Sequence, residues 1–191
     1  MHEALSSMRL ETERLIIRPY RASDLMPSFE LMQDPTLLAY MHIDVMPFEA
    51  YKGLFAWLMD SYRTPFDGPF KYSFVIERRA TGEMIGWCGV GVLDCCAPDK
   101  ELYYLIRRDQ WGSGYATEAA AALAAYAFRT IGLNRLYAKA DPRNKASLRV
   151  FEKLGFGFDR VLEGLTGEDA DCNGELLYVL AKGGFDARDG R

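Results

Sequence analysis

Apolar residues recur in this chain with two periods, and the switches between them lay out the elements. Leu15-Ile16-Ile17-Arg18-Pro19-Tyr20 reads as a first strand, stopped by proline. Ser23 is the N-cap expected for a helix over residues 23–33, with Asp24 in its first turn. Pro35 ends that helix or opens the next turn. Tyr51, Leu54, Phe55 and Leu58 fall at helical spacing, which predicts a second helix over residues 47–62, with Pro47 at an early position. This stripe is read as core, with the alternative that part of it lines a ligand groove.

Residues 64–69 form a loop by composition. Strand-like runs at 71–77 and 84–93, joined by Ala80-Thr81-Gly82, predict a β-hairpin. Gly86, Gly89 and Gly91 within the second run predict bulging or close backbone packing. After a loop at 94–100, residues 101–106 read as a strand. Residues 117–130 are a helical run with alanine at 119–122 and at 124–125, small enough to lie close to a sheet. A strand at 133–140 is followed by Pro142 and a short helix over 145–154, stopped by Gly155. Residues 156–165 and 175–181 read as a final antiparallel pair. The tail from Lys182 is polar and glycine-rich and is read as frayed. No repeat or linker interrupts the chain, so one domain is expected over residues 1–191.

Composition narrows the function. The 191 residues are 49% hydrophobic, enough for a sizeable core, and carry a net charge of −4 with no long basic run. A general nucleic-acid surface is therefore not expected. No stretch is apolar enough to span a bilayer, and residues 1–8 lack an apolar signal region, so a cytoplasmic protein without a membrane partner is expected. Cys88, Cys95, Cys96 and Cys172 form no C-x-x-C pair and are read as reduced thiols. The only histidines, His2 and His42, are far from the cysteines in sequence. Neither a metal site nor a Ser-His-Asp hydrolase is expected.

The candidate chemistry lies between the 101–106 strand and the 117–130 helix. Gln110-Trp111-Gly112-Ser113-Gly114-Tyr115-Ala116-Thr117-Glu118 places two glycines where a strand turns into a helix. Such a junction aims successive backbone N–H groups outward at a helix N-terminus, a site suited to phosphate oxygens. Glycine there permits positive φ and close approach of a ligand. The N–H groups of Gly112, Ser113, Gly114, Tyr115, Ala116 and Thr117 are the expected donors. Glu118 is read as a structural carboxylate, favourable to the helix dipole.

A second stretch, Asn144-Lys145-Ala146-Ser147-Leu148-Arg149-Val150-Phe151-Glu152-Lys153-Leu154-Gly155-Phe156, follows about thirty residues later. Trp-Gly-x-Gly-Tyr-Ala-Thr-Glu-Ala, then Asn-x-x-Ser, then Phe-Glu-Lys-Leu-Gly-Phe, resembles the GNAT superfamily of acyl-CoA-dependent N-acetyltransferases. The wording is most similar to the subgroup that includes the ribosomal-protein N-terminal (alanine/serine) acetyltransferases, as is the opening Thr-Glu-Arg-Leu-Ile-Ile-Arg-Pro at residues 12–19. The resemblance spans residues 10–182. It implies an α+β fold: a mixed, mostly antiparallel seven-stranded sheet with about four helices. It also implies two central parallel strands that splay apart to admit the pantetheine arm of acetyl-CoA.

The resemblance further implies a role for each matching residue. Asn144 would hydrogen-bond the pantetheine arm, and Ser147 would lie near the thioester sulfur. A backbone N–H near Leu105 or Ile106 would polarise the thioester carbonyl. Trp111 departs from the general pattern, which places Gln or Arg there, so Arg107 or Arg108 is a candidate source of charge for the pyrophosphate. Phe151 stands where many members carry a tyrosine general acid; Ser147, Tyr103, Tyr104 or water are candidate substitutes. Glu101 is the expected base that takes the amine proton, directly or through water. The expected activity is direct acetyl transfer to a primary amine, with a peptide or protein N-terminus first. A small amine (polyamine, amino acid or antibiotic) or a catalytically silent acyl-CoA-binding module are the rivals. A homodimer is compatible with the resemblance. The acceptor-selecting segments are expected at residues 37–47 and 64–70, through Tyr40, Asp44, Phe66 and Asp67.

Overall fold

The computed structural model describes residues 5, 8–41 and 43–189; His2, His42 and most of the 1–8 segment lie outside them. Eight strands form one sheet: β1 (Leu10–Glu11), β2 (Leu15–Pro19), β3 (Lys71–Arg78), β4 (Glu83–Val92), β5 (Lys100–Ile106), β6 (Arg135–Ala140), β7 (Gly157–Val161) and β8 (Leu176–Ala181). Their order is β1-β2-β3-β4-β5-β6-β8-β7. Every neighbouring pair is antiparallel except β5 and β6, which run parallel and pair at one position, Glu101 with Tyr137. The seven strands read from the sequence are all present. The eighth, β1, has two residues, too few to display a period.

Six α-helices are present among the described residues: α1 (Leu25–Leu31), α2 (Pro35–Leu38), α3 (Phe48–Ser61), α4 (Tyr115–Tyr126), α5 (Lys145–Leu154) and α6 (Lys182–Asp189). Three differ from the sequence reading. Before α1, residues 22–24 form a 3-10 turn organised by Asp24, not by Ser23. The Asp24 carboxylate accepts from the Arg21 N–H at 2.7 Å and from the buried Arg18 guanidinium at 2.7 and 3.0 Å. The single turn α2 exists because the Asp34 side chain accepts from the Thr36 N–H at 2.9 Å with Pro35 at the first helical position. The tail is helical over residues 182–189, where a frayed segment was expected: α6 seats Phe185 against Phe128, ring centroids 5.4 Å apart, and both are buried, while residues 190–191 lie outside the described residues.

Helix α4 continues as a π-helical turn, Ala127–Ile131, and buries Ala119, Ala120, Leu123 and Ala124. The alanine face lets this helix pack closely on β4 and β5. Close approach also explains Gly89. A Cβ there would stand 2.3 Å from the Tyr103 ring, so glycine is what allows Tyr103 to cross β4. The Tyr103 hydroxyl then donates to the Tyr72 carbonyl at 3.0 Å and lies 3.1 Å from Ser73 Oγ.

Candidate active site

The parting of β5 from β6 opens a cavity of about 1070 Å³. β5 runs along its wall from Glu101 to Ile106, and its far end leads into the two-glycine loop. Strand geometry decides which backbone groups face the gap. The Arg107 N–H donates to the Ile85 carbonyl at 2.8 Å, on the β4 side. Alternation then assigns the Leu105 N–H to the β4 ladder opposite Trp87, and turns the N–H groups of Tyr104 and Ile106 toward the gap. Of the two residues expected to polarise a carbonyl, only Ile106 is therefore placed to do so by its N–H. Leu105 contributes to the wall.

The glycine loop has the expected shape. Gly114 caps α4 in the left-handed region at φ +82°. Its Cβ position is open apart from the Arg14 guanidinium 3.5 Å away, so the backbone angle and not protein crowding demands glycine. Among the described residues the N–H groups of residues 114–117 find no hydrogen-bond acceptor, leaving the first turn of a helix with its donors free. Trp111 anchors the loop by donating Nε1–H to the Ile106 carbonyl at 2.7 Å. Glu118 is the structural group read from the sequence. It accepts from Thr12 Oγ1 at 2.6 Å, from the Arg14 N–H at 2.9 Å and from Arg14 Nε at 2.7 Å. Burial pushes its pKa up, but these bonds outweigh it and hold the carboxyl below its ordinary value.

The two arginines proposed to aid the loop are paired with carboxylates and do not line the cavity among its described residues. Arg107 is committed to Asp109 at 2.6 Å and Glu83 at 2.8 Å, and Arg108 is exposed, 3.7 Å from Asp34. The cavity takes its positive wall from α5 instead. Lys145, Arg149 and Lys153 recur every four residues along one helix face, line the cavity and have no ion pair among the described residues. The four-residue spacing of cations was the overlooked signal. Asn144 caps this helix, its Oδ1 accepting from the Ser147 N–H at 3.1 Å, which leaves its Nδ2 for the pantetheine role. Ser147, Phe151 and Tyr104 all line the same cavity.

At the other end stands Glu101, buried at 7% exposure. Desolvation pushes its pKa up, while Lys71, 3.3 Å away, and Lys139 pull it back; the net direction is upward. Lys71 also binds Asp94, and Lys139 pairs with Glu175 at 2.6 Å. The 3-10 turn Gly167–Cys172 brings Glu168, Asp169 and Asp171 to this end of the cavity, without ion partners among the described residues. Sequence reading passed over this turn, because acidic residues in a loop carry no period.

The other acceptor-selecting expectations divide. Tyr40 lines the cavity, as do Leu37, Met41 and Ile43, whereas Asp44 faces a smaller recess of about 500 Å³ beside it. Residues 64–70 are not on the wall: Phe66 packs on Phe70 and Tyr72, with centroids 6.2 and 6.1 Å away. All four cysteines are unbridged. Burial raises the thiol pKa of Cys88 far above its ordinary range and pushes Cys95 up to about 12, so neither is poised as a thiolate nucleophile.

Comparison with known proteins identifies the architecture. The family model described as acetyltransferase (GNAT) domain matches residues 14–157. An uncharacterized N-acetyltransferase p20 of Bacillus licheniformis is 30% identical over 171 residues, covering 89% of this chain and 92% of that protein. A spermidine N(1)-acetyltransferase of Escherichia coli strain K12 is 27% identical over 143 residues, or 75% of this chain and 73% of that one. The Mycobacterium smegmatis RimJ structure, solved with CoA-disulfide, shares the fold at a TM-score of 0.74 with 21% identity, covering 92% of this chain and 87% of that one.

Proposed function

The chain belongs to the GNAT acetyltransferase family and is an acetyl-CoA-dependent N-acetyltransferase, and from that premise we propose that its acceptor is a primary amine on a small polycationic molecule of the polyamine kind. The observation that carries this reading is the division of charge along the cavity. Lys145, Arg149 and Lys153 line the cofactor side, while at the Glu101 end Lys71 and Lys139 are paired with Glu101, Asp94 and Glu175, and Glu168, Asp169 and Asp171 add three carboxylates with no ion pair among the described residues. An anionic donor and a cationic acceptor are each drawn to their own side. The likeness to a spermidine acetyltransferase supports the same choice.

In this reading the pyrophosphate sits on the N–H groups of residues 112–117 and the pantetheine arm lies in the β5–β6 gap beside Asn144. The thioester carbonyl accepts from the Ile106 N–H. Glu101, its basicity raised by burial, takes the amine proton directly or through water. The amine attacks the carbonyl carbon, and the C–S bond breaks with its electron pair on sulfur. Transfer is read as direct, within one domain; burial raises the thiol pKa of Cys95 and Cys172, the cysteines on the cavity wall.

A peptide or protein N-terminus is the second reading, favoured by the subgroup resemblance and by the lower pKa of an α-amine, near 8 against about 10.4 for lysine. Thiol release should be followed with a polyamine, a free-N-terminus peptide, the same peptide blocked, and a blocked lysine peptide. Turnover confined to the free peptide would install the second reading. CoA binding without turnover of any amine would mark a silent acyl-CoA-binding module.

A further inference from the structure

We propose that Ser73 is a further catalytic residue, whose Oγ accepts an N–H of the attacking amine and turns the nitrogen lone pair toward the thioester; this rests on the acetyl-transfer reading above, whichever amine is the acceptor. Strand register places it. Lys71, Gly91 and Glu101 lie side by side across β3, β4 and β5, and Ser73, Gly89 and Tyr103 form the next row on the same face. Because the middle strand carries no side chain in either row, groups on β3 and β5 meet across it. Lys71 Nζ reaches Glu101 over Gly91, at 3.3 Å, and Tyr103 leans over Gly89 to Ser73, with 3.1 Å between the oxygens. All four of these side chains line the cavity. Ser73 therefore sets a hydroxyl in the row next to the proposed base.

Counting hydrogens fixes what that hydroxyl can do. A tyrosine hydroxyl has one hydrogen, and Tyr103 gives it to the Tyr72 carbonyl at 3.0 Å. Burial pushes the Tyr103 pKa far above its ordinary value, so the hydrogen stays in place. The contact between the two hydroxyls must then be made with Ser73 donating and the Tyr103 oxygen accepting. With its only hydrogen committed, Ser73 Oγ turns lone pairs to the cavity and can only accept. An ammonium is the matching donor. It loses one proton to Glu101, the freed lone pair attacks the carbonyl carbon, and the C–S bond breaks with its electron pair on sulfur. Of the two N–H bonds left, the one on Ser73 stays in the amide, and the other proton passes through solvent to the sulfur. Glu101 returns its own proton to solvent. Nitrogen turns positive during the attack, so its hydrogen bond to Ser73 is stronger in the transition state than in the neutral amine.

The test is Ser73→Ala, read with an amine that the parent acetylates. The substitution leaves the Tyr103–Tyr72 bond in place, so the variant should fold and CoA affinity should hold. Its kcat/KM for the amine should fall about 10- to 100-fold, the worth of one hydrogen bond to a charged group. The N,N-dimethyl form of the same amine, used as a competitive inhibitor, separates contact from shape. Protonated, it has a single N–H, which goes to the Glu101 carboxylate and leaves Ser73 nothing to accept. Its inhibition constant should therefore be the same in parent and variant. A kcat/KM within twofold of the parent overturns the proposal. So does a dimethyl analogue that loses as much affinity as the amine loses in kcat/KM, since Ser73 would then act only through the shape of the wall. A parent that binds CoA and acetylates no amine would instead overturn the acetyl-transfer reading, and this one with it.

Discussion

Arg14 and Glu118, separated by 104 positions in sequence, meet at 2.6 Å beside the first turn of α4. The pair ties the β1–β2 hairpin to the glycine loop, because Arg14 Nη1 also donates to the Ser113 carbonyl at 2.9 Å. Arg14 is partly exposed, so its charge counts for less than the hydrogen bonds Glu118 collects. Glu118→Ala removes the acceptor of three bonds and is expected to lower stability by about 1–3 kcal/mol. Its folded pKa is depressed, so its contribution is present above the unfolded value near 4.3 and lost as pH falls through the lower folded value. Denaturant titrations at neutral pH and near pH 3 check this. Equal losses from the substitution at both pH values would contradict it.

Gly114 joins backbone shape to binding. Any β-branched residue is strained at φ +82°, and its side chain would project where phosphate approaches. Gly114→Val is expected to weaken CoA binding at least about tenfold, measured calorimetrically on folded protein. Unchanged affinity would move the cofactor elsewhere.

These two sites show how far the sequence could be read. Gly114, Asn144 and Ser147 were legible because they stand at fixed offsets around helix starts, where local geometry alone restricts the residue type. The seven longer strands and the four longer interior helices were legible from apolar period. Asp24 displaced Ser23 as organiser of α1 because its carboxylate answers Arg18 on a neighbouring strand, a contact no local pattern encodes. The 182–189 segment orders through Phe185 docking on Phe128, fifty-seven positions away. Lys145, Arg149 and Lys153 had helical spacing in plain view, but the cavity that gives them meaning appears only when β5 and β6 part.

With Glu101 as the proposed base, it and Lys71 are expected to set the acid limb of the rate profile. The base must be ionised, and burial raises its pKa while Lys71 lowers it. Activity should therefore rise with pH through a value above the ordinary 4.3 or so. Lys71→Met removes the opposing cation and should move this limb to higher pH. Glu101→Gln should abolish the limb and lower kcat about 10²–10⁴-fold with CoA affinity intact. A limb that stays in place in Lys71→Met, or a Glu101→Gln profile with an undiminished plateau, would remove Glu101 from the base role.

The acidic turn makes the acceptor reading testable without touching the reacting groups. Glu168, Asp169 and Asp171 sit on a solvent-facing 3-10 turn and hold no partner among the described residues, so neutralising them leaves no buried charge behind. Each exposed carboxylate facing an ammonium is worth about 0.2–1 kcal/mol. Together Glu168→Gln, Asp169→Asn and Asp171→Asn should raise KM for a polyamine about 3- to 150-fold. At saturation kcat should hold, since Glu101 and Lys71 are untouched, and CoA affinity should hold because the proposed phosphate site, residues 112–117, is left unchanged. Added salt should raise the parent's KM more steeply than the variant's, because screening removes the same attraction. A monoamine with an uncharged tail is the control. If its KM rises as much as the polyamine's, the turn acts through shape and the polycationic acceptor loses its support; a rise confined to the polyamine assigns the turn to the distal ammonium groups.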